Sequence, residues 1–360
     1  MESPTSTAPP STHDHSKRAW GEIAALYARA DTKRAVTQLL GTGLPFLVLV
    51  AALLYGVDRY GWAALPLALP AAGLLVRLFM IQHDCGHGSF FKSRRANDLL
   101  GRTLGVLTLT PYAFWRQSHA IHHAGSGNLD RRGVGDVTTL TVREYLSLPR
   151  WRRLLYRIYR HPLVLFGIGP TYVFVIRHRI PTGNPFRRRL SWTSILGTDA
   201  VIAAVTLLLV LTVGPRPLLL GYVPMILLAS SIGVWLFYIQ HQFEDTYWQA
   251  EADWDFRAAA LHGSSFYDLP QALHWLTAYI GFHHIHHLCS KVPNYRLRAC
   301  FEQNSELRPA KSLTLRDSLR CARLALWDEE QRKLVPFRGA RDRSCGPTSE
   351  PARLGPAQAL

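Results

Sequence analysis

Four apolar runs, arranged as two close pairs, constrain this chain more than any other feature. The first pair is LLGTGLPFLVLVAALLYGV, at about 39–57, and WAALPLALPAAGLLVRLFMIQ, at about 62–82, separated only by DRYG. The second pair is ILGTDAVIAAVTLLLVLTV (195–213) and PLLLGYVPMILLASSIGVWLFYIQ (217–240), joined by Gly214, Pro215 and Arg216. A run of about 20 residues, wound as an α-helix, spans the roughly 30 Å of a hydrocarbon core. Two such runs with so short a gap fold back on each other as a helical hairpin. Buried helices of a soluble protein are the alternative, and two paired runs of this length argue against it. The expected fold class is an all-α integral membrane protein with four transmembrane helices arranged as two hairpins.

Two hairpins place the N-terminal segment, residues 83–194 and everything after 240 on one side of the bilayer. The opposite side keeps two very short loops, carrying Asp58, Arg59 and Arg216. The shared side carries Lys92, Arg94, Arg95, Arg187, Arg188 and Arg189 among many others, and basic loops stay in the cytoplasm. This accounts for much of the net charge of +16 in a chain with only 18% charged residues. Such a face attracts anionic lipid headgroups, and with four spans nucleic acid is not an expected partner. Shorter or broken apolar runs at 99–115 and 162–176 read as interfacial. Residues 20–34 read as a short amphipathic helix. Residues 1–16 and 338–360 read as disordered tails rich in Ser, Pro, Gly or Arg, leaving 17–337 as one domain. Residues 1–35 lack the apolar core of a cleavable leader. Cys85, Cys289, Cys300, Cys321 and Cys345 are scattered, odd in number and contain no CxxC, which excludes a disulfide framework and a cysteine zinc site.

The second unusual feature is histidine: 16 in all, several in boxes on the cytoplasmic side of the runs. The second run leads directly into HDCGH, with His83 and His87 at i and i+4 on one helix face. HAIHH follows, with His119, His122 and His123 at i, i+3 and i+4. The fourth run ends at His241. HHIHH holds His283, His284, His286 and His287, and its best match to the preceding box is the HxxHH triad His283, His286 and His287. A helical wheel alone does not separate His283 from His284; the repeated spacing favours His283. Two from the first box, three from the second, His241 and three from the last make nine candidate ligands. Nine imidazoles exceed one coordination sphere and suit two metals with four or five each. Imidazole accepts Zn, Cu, Fe and Ni alike. Zinc has no redox chemistry and takes four ligands, so a pair of redox metals fits better.

The boxes HDCGHGSFF, WRQSHAIHH and GFHHIHHL resemble those of the membrane fatty-acid desaturases, the histidine-box di-iron enzymes. SGNLDRRGVGDVTTLTVREY (126–145), LFYIQHQFEDTYW (236–248), GSSFYDLP (263–270) and PNYRL (293–297) resemble the bacterial delta-12/omega-6-like branch in particular. The resemblance covers roughly residues 35–325. One departure is Tyr279, where the family often has Asn two residues before the glycine of the third box. The resemblance implies four spans capped by a cytoplasmic helical domain, in a bacterial inner membrane with both termini cytoplasmic. It implies two iron ions: one held by His83, His87, His119, His123 and His286, the other by His122, His241, His283 and His287. Histidine ligands commonly donate their second ring nitrogen to a carboxylate or carbonyl. Asp84, Asp130, Asp136, Glu244, Asp245 and Asp268 are the nearby candidates. The implied activity is oxygen-dependent desaturation of a long-chain fatty acyl group, inserting a cis double bond of delta-12/omega-6 type. Dioxygen is the co-substrate. No haem domain, CxxC pair or dinucleotide fingerprint is present, so electrons come from an external donor such as ferredoxin. Two rivals remain at this stage. One is a related di-iron hydroxylase, epoxygenase or carotenoid/sterol oxidase; the other is a non-catalytic metal-binding membrane protein. The latter should carry ionisable residues inside its spans, where only Arg77 and Asp199 occur.

Overall fold

A computed structural model describes residues 20–180, 188–308 and 312–338. The tails expected at 1–16 and 338–360 fall outside the described residues, Arg338 excepted, and so does Arg187. Helix α1 (Thr32–Tyr60) begins where the Asp31 carboxylate accepts from the Arg34 amide at 3.1 Å. That bond satisfies one of the N–H groups a helix start leaves unpaired. The chain turns at Gly61, whose φ of 60° suits a residue without a Cβ, winds as a 3₁₀ helix over Gly61–Leu67, and enters α2 (Ala68–His87). The two helices run antiparallel. Gly56 abuts Ala64 near the turn, where a Cβ would come within 2.8 Å of the alanine methyl. Far from the turn, Arg77 donates to Thr42 at 3.0 Å. The Arg77 guanidinium also bonds the Trp275 carbonyl and lies 4.3 Å over that ring, so this charge inside an apolar run is matched.

Helices α3 (Arg94–Leu107) and α4 (Tyr112–Gly125) follow, then strand β1 (Leu140–Thr141), α5 (Val142–Ser147) and α6 (Arg150–Tyr159). The run expected to be interfacial at 162–176 is helical but wound in wide π turns at Val164–Ile168 and Tyr172–Ile176, on either side of Gly169-Pro170. Pro170 has no N–H to continue an ordinary ladder. Helix α7 (Arg188–Thr212) leads through Gly214 and Pro215 to α8 (Val223–His241). Then come α9 (Phe256–His262), α10 (Gln271–Leu276), α11 (His283–Leu288), α12 (Asn294–Gln303) and α13 (Leu315–Cys321).

Among the described residues, three helical stretches are long and apolar enough to cross a membrane: Thr32–His87, Arg189–Thr212 and Pro215–His241. Four separate runs were expected. The difference arises because α1, the 3₁₀ turn and α2 form one unbroken helical stretch that doubles back on itself. The all-α expectation also needs correction. Strands β2 (Leu326–Asp328) and β3 (Lys333–Val335) pair antiparallel, and β1 lies parallel to β2. These strands are too short to give a period-2 signal, and their pairing joins segments about 185 residues apart in sequence (Leu140 to Leu326).

The main core packs α1, α2 and α8 around Leu53, Leu78, Ile81, Met225 and Ile239. A second core, including Phe282, Ile285, Val292 and Leu297, holds α11 against α12 and α9. Together these cores bring the ends of α2 and α8 to α4 and α11, the four elements that carry the histidine boxes.

Candidate metal centre

Helix α2 delivers His83 and His87 from its final turns, stopped at Gly88 (φ 66°). Helix α4 delivers His119, His122 and His123, α8 ends on His241, and the six-residue α11 carries the last box. The imidazoles meet as two adjoining groups. His83, His87, His119, His123 and His286 form one, each offering a ring nitrogen within 4.8 Å of the others. His122, His241 and His287 form the second on the same criterion, and the His283 Nε2 reaches it at 3.0 Å from the His241 Nε2. The structure thus brings together all nine histidines singled out in the sequence. The first group is partly open, with His87, His119 and His123 half-buried, while every member of the second is buried.

The donor set fits metal ions rather than a hydrogen-bonded histidine cluster. The Nδ1 of His241 lies 3.1 Å from the Gly263 carbonyl, which can only accept, so that nitrogen carries the proton. The Nδ1 of His122 bonds the Asp136 carboxylate and carries its proton in the same way. Both Nε2 atoms are then bare lone pairs, yet they stand 3.2 Å apart. A metal ion held by both would turn that approach into an attraction. In the first group, the His119 Nε2 sits 3.0 Å from the His87 Nε2 and 3.1 Å from the His123 Nε2. One in-plane position on a ring nitrogen cannot serve two such neighbours by protons alone.

Burial pushes His119, His123, His283, His286 and His287 well below the ordinary imidazole pKa, and neighbouring imidazoles push the same way. These rings are held neutral, the form that binds metal. The Trp115 indole stacks on His119 at 4.7 Å, and Phe237 lies against His122 and His241 at 5.1 and 5.4 Å. A small pocket opens beside the second group, lined by Asp136, Val137, Phe237, His241, Gln242 and Trp248 among others.

His284 stands apart. It is fully buried, but its Nε2 donates to the Leu307 carbonyl at 2.9 Å, and burial holds its pKa down to about 4. Of the carboxylates suggested by sequence, two reach rings of the histidine cluster. Asp136 bonds His122; Asp84 faces the His83 Nδ1 at 3.3 Å while accepting the Asn294 amide at 2.6 Å. Asp130 instead accepts the Glu251 amide. Glu244, Asp245 and Asp268 are exposed. Tyr279 sits at a φ of 59°, accepts from Gln271 Nε2 at 3.0 Å and stacks over His274, away from the nine clustered histidines. Sequence reasoning missed the Gly263 carbonyl, because every residue carries a carbonyl and no side-chain pattern marks this one.

A family model described as "Fatty acid desaturase" matches residues 60–318. The chain belongs to the fatty acid desaturase family. This desaturase is 43% identical over 91% of its length to a protein named fatty acid desaturase in Bacillus subtilis (strain 168), of which it covers 92%. It is 31% identical over 69% of its length to an sn-1 acyl-lipid omega-3 desaturase (ferredoxin) of Nostoc sp. (strain 36), covering 70% of that protein. It is 27% identical over 68% of its length to an sn-1 oleoyl-lipid 12-desaturase of Synechocystis sp., covering 69% of it. The chain is therefore an oxidoreductase of the desaturase family with histidine clusters able to hold metal, and the non-catalytic reading falls away.

Proposed function

We propose that this desaturase inserts a cis double bond into a long-chain acyl group of a membrane lipid, at the delta-12/omega-6 position. It would hold two iron ions, the first on His83, His87, His119, His123 and His286, the second on His122, His241, His283 and His287. The observation that carries the metal reading is the pair of bare Nε2 atoms on His122 and His241, 3.2 Å apart. When bound, the irons supply the redox chemistry with dioxygen that an unactivated methylene pair requires. The balance is two hydrogens from the acyl chain, two electrons and two protons from outside, and one dioxygen, giving the alkene and two waters. The protein's own part is placement. Asp136 and the Gly263 carbonyl hold two rings in the ligating tautomer, and Phe237, Val137 and Trp248 give the adjoining small pocket an apolar wall.

The membrane placement belongs to the same reading. The hairpin α1–α2 supplies two spans and α7 and α8 supply two more, with the metal centre forming a cap on the cytoplasmic side of the inner membrane. Ferredoxin as the electron donor is supported by the Nostoc relative, whose name includes it, and by the basic balance of the chain. The omega-3 position is the second reading, favoured by the higher identity to that same relative than to the 12-desaturase. Expression in a host rich in oleoyl lipids, with ferredoxin and its reductase, decides between them by fatty-acid analysis. We expect a diunsaturated C18 chain from oleate. A product formed only after linoleate is fed would move the assignment to omega-3, a hydroxylated product to the hydroxylase alternative, and an unchanged profile with iron-loaded protein would overturn the reading.

A further inference from the structure

Helix α6 is turned inside out. Trp151, Leu154, Leu155 and Ile158 fall at i, i+3, i+4 and i+7, the spacing of a helix face that packs on a core. They are instead 57%, 59%, 46% and 49% exposed. The other face is held by polar bonds. The Tyr156 hydroxyl donates to the Ala325 carbonyl at 2.7 Å and accepts from the Leu140 amide at 3.1 Å. Arg153 donates to the Leu148 carbonyl at 2.8 Å, and Arg157 to the Tyr145 hydroxyl at 2.6 Å. At the end of the helix, buried Arg160 bonds Tyr238 (3.3 Å) and Gln242 (3.0 Å), which bracket His241, the last residue of α8. That contact fixes the depth of α6, level with the end of a membrane-crossing stretch.

Charge and continuity identify what covers the exposed face. From Tyr145 to Thr198 the sequence contains ten arginines and no Asp or Glu. Neither Arg150 nor Arg152 pairs with a carboxylate among the described residues; Arg152 lies 5.0 Å from the Trp151 ring. The apolar surface continues through Leu163, Ile168, Tyr172 and Ile176. That segment packs its other side on α8 through Phe166, which meets Trp235 and Tyr238 at 4.8 and 5.1 Å. We propose that α6 lies in the plane of the membrane, with Trp151, Leu154, Leu155 and Ile158 in the outer acyl layer and Arg150 and Arg152 binding anionic phospholipid headgroups. The proposal rests on the membrane placement given above. The same helix, through Arg160 and Tyr156, holds the elements that carry His241 and the segment after Asp136, so the leaflet surface would help set the second histidine group.

The test uses the full chain in lipid nanodiscs, with an environment-sensitive fluorescent amino acid in place of Leu155 and, separately, of Leu208 on the outer face of α7. Quenching by phospholipid brominated near the glycerol end reads contact with lipid; iodide reads contact with water. We expect most of the emission at position 155 to be lost to brominated lipid and little to iodide. Brominated phosphatidylglycerol should quench more strongly than brominated phosphatidylcholine at equal mole fraction, and Arg150→Gln with Arg152→Gln should equalise the two. Quenching at 208 but not at 155 would place α6 in water or under a second protein and overturn the proposal while sparing the membrane placement. Quenching at neither position would overturn both. Equal quenching by the two lipids before substitution would overturn the assignment of the arginines.

Discussion

His284 shows what one side chain in a run of four histidines can and cannot do. On an ideal helix it lies about 60° from its nearest ligand neighbour, His287. In the structure its Nε2 donates to the Leu307 carbonyl, so that nitrogen has no lone pair for a metal. His284→Gln keeps an amide donor at roughly the same reach. It should retain both metals and much of the activity, whereas His286→Gln should lose metal and activity. Metal content and turnover at equal amounts of folded protein check this. Loss of metal in His284→Gln to the extent seen in His286→Gln, with His283→Gln unaffected, would mean the helix is rotated by one residue. The clustering of the nine rings was legible in sequence because it is marked by side-chain type and by the repeated HxxHH spacing. The support for those rings was only half legible. Asp136 and Asp84 were nameable as carboxylates, but Asp130 and Glu244 were equally nameable and hold a backbone amide and Lys333 instead.

At the scale of elements, the boxes work because consecutive residues on one helix point about 100° apart. His122 and His123 on α4, and His286 and His287 on α11, each split between the two groups. Two short helices thereby bridge both sites, and their packing must be exact to within side-chain contact. One place sets it. A Cβ on Gly101 of α3 would meet the Tyr112 ring of α4 at 2.2 Å. The Tyr112 hydroxyl in turn donates to the Cys85 carbonyl at 2.8 Å, in the turn between His83 and His87. Gly101→Ala should therefore push α4 from α3 and α2 together, destabilising by about 1–3 kcal/mol as overpacking does. It should lower metal retention in the same step. Tyr112→Phe, which keeps the ring and loses one buried hydrogen bond, should cost only about 1 kcal/mol. A thermal melt of each variant, with metal content measured beforehand, separates the two effects; equal stability of Gly101→Ala and the parent would refute the packing argument.

At the scale of the whole molecule, the pairing of α1 with α2 was written plainly in hydropathy, since a run of about 20 apolar residues has few other uses. The second expected hairpin is not formed among the described residues: α7 packs chiefly on α3 and α4, and α8 on α2. The small sheet was not, because Leu140 and Leu326 are joined by backbone bonds between segments with no shared pattern. What the assembled molecule adds is the grouping of these rings. Five imidazoles cluster on one side of the α4–α11 pair and four on the other, His283 joining through its 3.0 Å approach to His241. A single metal could use at most six of the nine and would leave the rest as ring nitrogens crowded against one another, the more costly where they are buried. Zinc, with its usual four ligands, would leave a fifth ring idle in the first group. Protein purified gently in detergent should therefore carry two irons per chain, read by elemental analysis alongside activity. One metal per chain in fully active protein, or stoichiometric zinc in active protein, would defeat the two-iron assignment. Removing metal with a chelator should lower the melting temperature of the chain, because the paired lone pairs of His122 and His241 would then face each other unscreened.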